Sequence, residues 1–239
     1  ADELSVVFET GQLFDEYFRG IVAEHRTNPG DDLVSRLIEA EEEGDKLTED
    51  EMIVTLRLLL VAGNETTTNL IGNGLKALLE HPDQMELLRE RPELIDNAIE
   101  ELLRYDSPVQ VDGRTVLDEF QLDRHTLKPG RPISLLIGGA NRDPEEFSDP
   151  EALDITREDA GNISFGRGIH HCLGAPLARL EGKIAFEALL ERFDDIRFGT
   201  RAPEYKQNIV LRGLKHLDIR VERASGKSFA TPSAEAAAD

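Results

Sequence analysis

The chain has 239 residues, 48 of them acidic and 27 basic, and a formal net charge of −21. Such a surface repels nucleic acid and anionic membranes, so we expect neither as a partner. The longest apolar run, 58–63, is far too short to span a bilayer. The acidity is equally consistent with a cationic partner, a high-salt interior or an ordinary well-solvated surface.

The single cysteine, Cys172, fits a reducing compartment in which thiols stay free, and we predict a cytoplasmic protein. The first residues, ADELSVVFET, are acidic and mixed, unlike a signal peptide. Because the chain begins at Ala1 within a helical pattern, we expect a fragment that lacks its natural N-terminus.

Helical patterns dominate the first 106 residues. The segment NPGDD at 28–32 breaks the first pattern and caps the second, and TEDE at 48–51 forms a capping box. Apolar spacing and the His81-Pro82 break define the remaining boundaries. The predicted helices cover 4–26, 33–41, 48–80, 83–90 and 93–106.

Short strands separated by turn residues follow from Val109 onward. An irregular segment over 141–161 and a helix at about 175–193 interrupt them, and the polar tail 223–239 is predicted to be disordered. The fold class is therefore mainly α with small antiparallel sheets. The predicted strands cover Val111–Val116, Phe120–Leu122, Pro132–Ile137, Asn208–Leu211 and Leu217–Val221.

The third helix carries a polar interruption where an apolar stretch gives way to GNETTTN. Placing glycine, threonine and glutamate in mid-helix costs helix propensity and risks a desolvated charge, which indicates function. Ala62 and Gly63 are small enough for a flat ligand to approach the backbone. Glu65 and Thr66 supply an acid and an alcohol for proton delivery. The alternative is a solvent-exposed stretch with a kink.

Glu101 and Arg104 in EELLR stand three residues apart and share one helix face. Such pairs are common on the surfaces of acidic helices, where they contribute little. The spacing by itself leaves a buried and an exposed pair equally open.

The segment FGRGIHHCLG at 165–174 surrounds the cysteine with glycines and histidines. Glycines permit positive φ and close backbone approach, and one thiolate on such a loop can be the single protein ligand of a haem iron. A Cys/His zinc site is disfavoured because contiguous residues place tetrahedral ligands poorly. An inert core cysteine is the other alternative.

Four signals occur in one order: AGNETT at 62–67, ELLR at 101–104, Arg114 in DGRT, and FGRGIHHCLG at 165–174. Together they resemble the cytochrome P450 family of the soluble bacterial or archaeal type. The resemblance covers the chain to about residue 222 and implies the C-terminal part of a single P450 domain. The expected fold is therefore P450-like and N-terminally truncated.

The resemblance also implies roles for individual residues. Cys172 becomes the axial thiolate of haem b, while Arg114 and His170 bind the haem propionates. Glu65 and Thr66 protonate iron-bound dioxygen, and Glu101 and Arg104 form a buried structural pair. Further contacts to the cofactor are expected at Ala62, Gly63, Phe165, Gly166, Gly168 and Gly174. The implied pocket walls are Leu58, Val61, Ala62, Val109, Val111, Asp112, Ile209 and Val210.

The reaction implied by this resemblance inserts one oxygen atom from O2 into a small hydrophobic substrate. Electrons come from a ferredoxin- or flavodoxin-type donor, for which Arg167, Arg179 and Lys183 offer positive charge, although they can equally balance local acids. A peroxide-driven peroxygenase, a haem-thiolate sensor and a cofactor-free acidic helical interaction domain are the alternatives. The Glu65–Thr66 pair argues against the peroxygenase, because peroxide needs less proton delivery.

Two departures from the family pattern matter. Members usually carry Arg or His before the cysteine loop to complete a triad with the Glu-x-x-Arg pair, whereas PEALD has Ala152 there. The triad is incomplete unless Arg157 substitutes. Whole members are also much longer, so the resemblance gives no ground to assume that this chain alone is active.

Overall fold

A computed structural model describes residues 3–42, 47–158 and 161–224 of the chain. The part of the predicted disordered tail from 225 to 239 lies outside the described residues. The fold is mainly helical, as the sequence predicts. The described helices are α1 (Glu3–Thr27), α2 (Leu33–Glu42), α3 (Glu49–Glu80), α4 (Pro82–Glu90), α5 (Ile95–Tyr105), α6 (Ile137–Ala140) and α7 (Ala175–Arg192).

The described strands form small two-stranded antiparallel sheets, which also confirms the predicted class. The pairs are β1 with β4, β2 with β3, β5 with β8, and β6 with β7. The strands are β1 (Asp112–Thr115), β2 (Phe120–Leu122), β3 (His125–Leu127), β4 (Pro132–Leu135), β5 (Phe193–Phe198), β6 (Glu204–Tyr205), β7 (Leu214–His216) and β8 (Ile219–Arg223).

The predicted capping box at the start of α3 is confirmed. The backbone N–H of Thr48 donates to Glu51 Oε2 at 2.8 Å, and the N–H of Glu51 donates to Thr48 Oγ1 at 3.3 Å. These bonds satisfy two backbone N–H groups at the start of the helix that have no partner within the helix. No helix in the described residues is long and apolar enough to cross a membrane.

The chain divides into two compact units, residues 1–65 and 66–239, and the division falls within α3. The first unit contains α1, α2 and the beginning of α3. Asp32 caps α2, because its Oδ1 accepts the backbone N–H of Ser35 at 2.9 Å. The buried apolar residues of this unit are Phe18, Val22, Ile38, Met52, Ile53 and Leu56.

The core of the second unit lies where the later part of α3, α5 and α7 meet. A Cβ added at Gly74 of α3 would lie 2.8 Å from Phe186 and 3.1 Å from Leu102. One added at Gly182 of α7 would lie 3.1 Å from Leu70. Glycine at these two positions therefore allows the three helices to pack closely around Leu102 and Phe186.

The strand predicted over Asn208–Leu211 is wrong. The side-chain Oδ1 of Asn208 accepts the backbone N–H groups of Val210 and Leu211 at 2.8 and 3.0 Å. This local turn competes with strand pairing, as asparagine side chains commonly do. An isolated bridge between Val109 and Leu211 is the β-type pairing that the segment retains.

The strand predicted over Pro132–Ile137 ends two residues early. Its partner β1 begins at Asp112, which is opposite Leu135, so the chain beyond Leu135 has no β1 residue to pair with. Ile137 instead begins the short helix α6. The hairpin strand β3 has no counterpart among the predicted strands.

Candidate functional site

The loop Phe165–Gly174 is closed by its own backbone hydrogen bonds. The N–H of Cys172 donates to the Phe165 carbonyl at 2.9 Å, and the N–H of Gly166 donates to that of Ile163 at 2.8 Å. Gly166 and Gly168 adopt φ values of +69° and +72°, in the left-handed region that favours glycine. The two glycines therefore have a conformational role in shaping the turn that leads to Cys172.

The thiol of Cys172 is exposed and lies just before the first residue of α7. The N–H of Ala175 donates to the Cys172 carbonyl at 3.3 Å, which joins the loop to the helix. The sulfur is thus close to the positive end of an 18-residue helix, where an anion is favoured. A Cβ at Gly174 would lie 3.9 Å from Sγ, so this glycine borders the sulfur.

The surroundings of Cys172 fit a large apolar group bound through one sulfur. Ile169 and Leu173 on either side are 98% and 88% exposed, an apolar surface available for packing. Across the described residues no three His, Cys, Asp or Glu side chains form a metal-binding group. A metal at Cys172 therefore needs its other ligands from elsewhere, as a porphyrin supplies them.

Phe165 is held by a stacked arginine on α7. The guanidinium carbon of Arg179 lies 4.5 Å from the Phe165 ring centroid, and its Nε lies 2.5 Å from Glu100 Oε1. The hydrogen bond to Glu100 raises the pKa of Arg179 above its ordinary value, with smaller support from nearby Cys172. Arg179 is thus a fixed charge that orders the aromatic side of the loop.

Two of the three cations predicted to attract a redox partner balance local acids. Arg179 is paired with Glu100, and Lys183 Nζ lies 2.9 Å from Asp96 Oδ1. The hydrogen bond to Asp96 raises the pKa of Lys183. Arg167 differs, since it is exposed and its Nη2 lies 3.5 Å from the Gly161 carbonyl oxygen.

Glu101 and Arg104 form a fully buried ion pair, which settles a point that their spacing leaves open. Arg104 Nε and Nη2 donate to the two carboxylate oxygens at 2.7 and 2.9 Å. Arg157 Nε adds a third contact at 3.2 Å, and the backbone N–H of Asp154 a fourth at 3.0 Å. Arg157 thus completes the cluster that lacks an arginine or histidine at Ala152.

Arg104 also binds backbone carbonyls of the irregular segment. Its Nη1 donates to the carbonyls of Asn141 and Pro150 at 2.9 Å each, and its Nη2 donates to that of Ala152 at 3.0 Å. Position 152 therefore contributes through its backbone instead of a charged side chain. These bonds fix the path of the chain that precedes the cysteine loop.

Asn141 connects this cluster to the loop and was not predicted as a site residue. Its Nδ2 donates to Ser107 Oγ at 2.7 Å and to Ser164 Oγ at 2.8 Å, while its Oδ1 accepts the N–H of Ile163 at 2.8 Å. Ser164 directly precedes Phe165. The sequence carries no motif for Asn141, because an asparagine at the end of a helix is common in turns.

The polar interruption of α3 lies within one continuous helix. Glu65 and Thr66 are both half-buried, and they stand at the division between the two units. Ala62 and Gly63 are exposed, and a Cβ added at Gly63 would meet nothing within 4 Å. The helix surface at Gly63 is therefore open to a ligand.

The predicted pocket residues of the second unit lie close together. The N–H of Gln110 donates to the Val210 carbonyl at 2.8 Å, which joins the 109–112 segment to the 208–211 turn. Ile209 and Val210 are exposed, whereas Val109 and Val111 are half-buried. Together they provide apolar surface on one pair of segments. Leu58 and Val61, in the first unit, are exposed apolar residues of α3.

Arg114 and His170 differ in what they contact. Arg114 Nη1 donates to Asp112 Oδ2 at 2.6 Å and to the Gly113 carbonyl at 2.7 Å. Binding a carboxylate of a cofactor would require Arg114 to exchange or share its Asp112 partner. His170 ends a short 3-10 turn of the loop and is exposed.

Comparison with known proteins identifies relatives of this chain. The family model for "Cytochrome P450" matches residues 5–215. The polyketide biosynthesis cytochrome P450 PksS of Bacillus subtilis is 49% identical over 214 residues, which cover 88% of this chain and 53% of that protein. Cytochrome P450 CYP107DY1 of Priestia megaterium is 46% identical over 216 residues, covering 90% of this chain and 53% of that protein.

Solved structures of other proteins are also similar to this chain. The structure of CYP109E1 from Bacillus megaterium in complex with testosterone has a TM-score of 0.86 and 41% identity. The match covers 89% of this chain and 55% of that one. The chain thus spans about half the length of the relatives that it matches.

Proposed function

The chain belongs to the cytochrome P450 family, and we propose that it carries the haem-thiolate site of a monooxygenase. The observation that best supports this proposal is the closed loop that presents Cys172 to solvent before α7. Haem b, when bound, supplies a redox-active iron, and thiolate ligation favours O–O cleavage. The proposed reaction inserts one atom of O2 into an organic substrate and reduces the other to water.

In this proposal Cys172 is the iron ligand and its loop has two tasks. The backbone bond from Cys172 to Phe165 holds the loop closed beside the sulfur, and Arg179 over the Phe165 ring orders the aromatic side of the loop. The Asn141 network secures the start of the loop through Ser164. Because the loop is already held in this conformation, the protein does not need to rearrange when the ligand binds.

Glu65 and Thr66 are proposed to handle protons for the reaction. They are neighbours on α3, one a carboxylate and one a hydroxyl, and both are half-buried. A hydroxyl can donate one proton while it accepts another, and a carboxylate can replenish it. Ala62 and Gly63, one turn earlier, leave the helix surface open for the cofactor.

Arg114 and His170 are proposed to bind the haem propionates. A propionate is a carboxylate like that of Asp112, which Arg114 already binds, so the guanidinium is chemically suited to the exchange. His170 is exposed on the loop and offers a ring N–H. Gly166, Gly168 and Gly174 then leave room for the backbone to approach the cofactor.

The substrate is proposed to be a small hydrophobic molecule. Val109, Val111, Ile209 and Val210 supply apolar surface beside Asp112 in the second unit, and Leu58 and Val61 are exposed apolar residues of α3 in the first unit. The name of PksS refers to polyketide biosynthesis, and the CYP109E1 structure holds testosterone. Molecules of this apolar, carbon-rich class are therefore the first substrates to test.

A ferredoxin- or flavodoxin-type protein is the proposed electron donor. Since Glu100 and Asp96 already pair with Arg179 and Lys183, we assign the main attraction for an acidic donor to Arg167. We also propose a reducing compartment, the cytoplasm, because the site depends on a free thiol.

The test is haem reconstitution of this chain, followed by the absorption spectrum of the reduced, carbon-monoxide-bound form. A strongly red-shifted Soret band is expected for the wild type and should vanish in Cys172→Ala. His170→Ala is the matched control and should keep the band while binding haem more weakly. A histidine-type band in the wild type, or no bound haem, would contradict the proposal. Turnover with a reduced ferredoxin, compared with turnover with peroxide, separates a monooxygenase from a peroxygenase.

A further inference from the structure

Arg179 is a charged residue of α7 that lies against the cysteine loop. Its guanidinium carbon is 4.5 Å from the centroid of the Phe165 ring, and the carbonyl of Phe165 accepts the backbone N–H of Cys172 at 2.9 Å. Phe165 thus contacts the cation through its ring and Cys172 through its backbone. Arg179 stands one turn after Ala175, the first residue of α7, so its charge lies near the end of the helix that borders the sulfur.

Glu100 of α5 fixes the position of this cation. Arg179 donates to its two carboxylate oxygens, through Nε at 2.5 Å and through Nη2 at 3.2 Å. A bidentate pair of this kind holds a guanidinium in one orientation. Asn162, three residues before Phe165, also donates to Glu100 Oε2, at 3.0 Å. The pair therefore places its positive charge against the loop and its negative charge on α5.

The two charges of the pair do not cancel at Cys172, because Arg179 is the member of the pair that contacts Phe165. The energy between charges falls with distance, so the nearer charge dominates. The hydrogen bond to Glu100 raises the pKa of Arg179, and the charge of Cys172 adds to this rise. The second contribution means that the cation and the thiolate attract each other.

We propose that Arg179 makes the electrostatic potential at the Cys172 sulfur more positive and that Glu100 limits this effect by pairing with the same guanidinium. Arg179 acts through its charge and touches no reacting atom. When haem is bound, one electron from the proposed donor protein adds a negative charge to the iron and its ligands, so a nearby cation favours the reduced form. The effect on the sulfur stands on this chain alone, whereas the effect on reduction rests on the proposed function.

Lys183 and Asp96 provide a matched control pair on the same two helices. Lys183 stands four residues after Arg179 on α7, Asp96 stands four residues before Glu100 on α5, and Lys183 Nζ lies 2.9 Å from Asp96 Oδ1. The side chains of Lys183 and Arg179 are 33% and 39% exposed. The charge of Lys183 is thus similar in pairing and exposure, and it lies one helical turn further from the start of α7.

The first experiment measures the potential at the sulfur in the haem-free chain. Cys172 is the single cysteine and is exposed, so its alkylation can be followed with neutral iodoacetamide and with anionic iodoacetate. The thiolate fraction enters both rates equally, so the ratio of the rates at one pH reports the local potential. We expect Arg179→Gln to lower the iodoacetate-to-iodoacetamide ratio at least about twofold and Glu100→Gln to raise it.

Two further variants separate the charge of Arg179 from its packing. Arg179→Lys keeps the charge but loses the planar group that stacks on Phe165, so it should hold the ratio near that of the wild type. Lys183→Gln should leave the ratio unchanged. A general loosening of the loop would move Arg179→Gln and Glu100→Gln in the same direction, and that result would overturn the proposal. Equal effects of Arg179→Gln and Lys183→Gln, or no effect of Arg179→Gln, would overturn it as well.

The second experiment measures the reduction potential of the haem-loaded chain by spectroelectrochemistry. Arg179→Gln should disfavour the reduced form at least about threefold, a fall of about 28 mV for a one-electron couple at about 59 mV per tenfold change. Glu100→Gln should raise the potential, and Lys183→Gln should leave it unchanged. An unchanged potential in Arg179→Gln would overturn the effect on reduction. A chain that binds no haem would contradict the proposed function, while the alkylation ratios would still decide the electrostatic role of Arg179.

Discussion

The carboxylate of Glu101 is the centre of the polar cluster that precedes the cysteine loop. It accepts from Arg104, from Arg157 and from the backbone of Asp154. Breaking one side of a buried ion pair leaves its partner charged and unpaired, at a cost of about 3–5 kcal/mol. We therefore expect Glu101→Gln to lower the free energy of unfolding by about that amount in urea titrations.

The matched control for Glu101→Gln is Asp96→Asn on the same helix. Asp96 pairs with Lys183, but its side chain is largely exposed, so solvent screens the interaction. We expect no measurable change in unfolding for this variant. Equal effects of the two substitutions would mean that burial does not govern the strength of these pairs.

The second prediction at the residue scale concerns the stability effect of replacing a glycine in the cysteine loop. Gly166 has a φ of +69°, which costs an L-residue about 1–2 kcal/mol. Gly166→Ala should therefore destabilise the chain by about that amount in urea unfolding. Gly63→Ala is the control, because Gly63 is helical with open space beside it and alanine there should stabilise by about 0.5–1 kcal/mol. If both substitutions destabilised the chain, the backbone conformations of Gly166 and Gly63 would not explain their effects.

Motifs predict the residues whose chemistry is rare, and they miss those whose chemistry is common. Cys172 is the single cysteine, and Glu101 and Arg104 stand in a recognisable pair, so the sequence singles them out. Arg157 is found only because Ala152 leaves the expected triad incomplete. Asn141 has no such signal, since its importance comes from contacts with Ser107 and Ser164 that lie far apart in the sequence.

At the scale of elements, the helices were predictable and the short strands less so. The capping box at Thr48 and the proline after His81 mark the ends of α3 in the sequence itself. A strand of three or four residues depends on its partner, as the end of β4 opposite Asp112 shows. The turn at Asn208 forms because a side chain competes for the same backbone N–H groups.

Tyr205 of β6 joins the C-terminal strands to the end of α5. Its contacts predict how the folding stability of the chain depends on pH. Its hydroxyl donates to Asp106 Oδ2 at 2.6 Å, and Arg212 lies 3.8 Å over its ring. Burial, together with the bond to Asp106, raises the pKa of Tyr205 well above its ordinary value of 10.0. The folded state thus holds this proton more tightly, which contributes stability below pH 10 that is lost as pH rises further.

We expect Tyr205→Phe to lower the free energy of unfolding by about 1 kcal/mol at neutral pH, because one hydrogen bond is lost. The difference in unfolding free energy between wild type and variant should narrow between about pH 9 and about pH 11, since only the wild type has Tyr205 to ionise in the unfolded state. Urea titrations across this range measure the gap. A gap that stays constant or widens would contradict the raised pKa.

At the scale of the whole chain, the two compact units differ in the core that supports them. Among the described residues, six buried apolar side chains form the core of the first unit and fifteen that of the second. Hydrophobic burial is the main favourable term in folding, and local opening is easiest where little is buried. The first unit should therefore open at a lower free energy than the second.

The helix α3 provides its own test of this difference, because it begins in one unit and ends in the other. The side chains of Ile53 and Leu56 belong to the smaller core, and those of Leu75 and Leu78 to the larger. In native-state hydrogen exchange we expect the amides of the first pair to exchange at least about tenfold faster, a difference of about 1.4 kcal/mol in opening free energy. Comparing amides within one helix removes differences in helical geometry. Equal protection along α3 would mean that the helix opens as one cooperative element and that core size does not set its local stability.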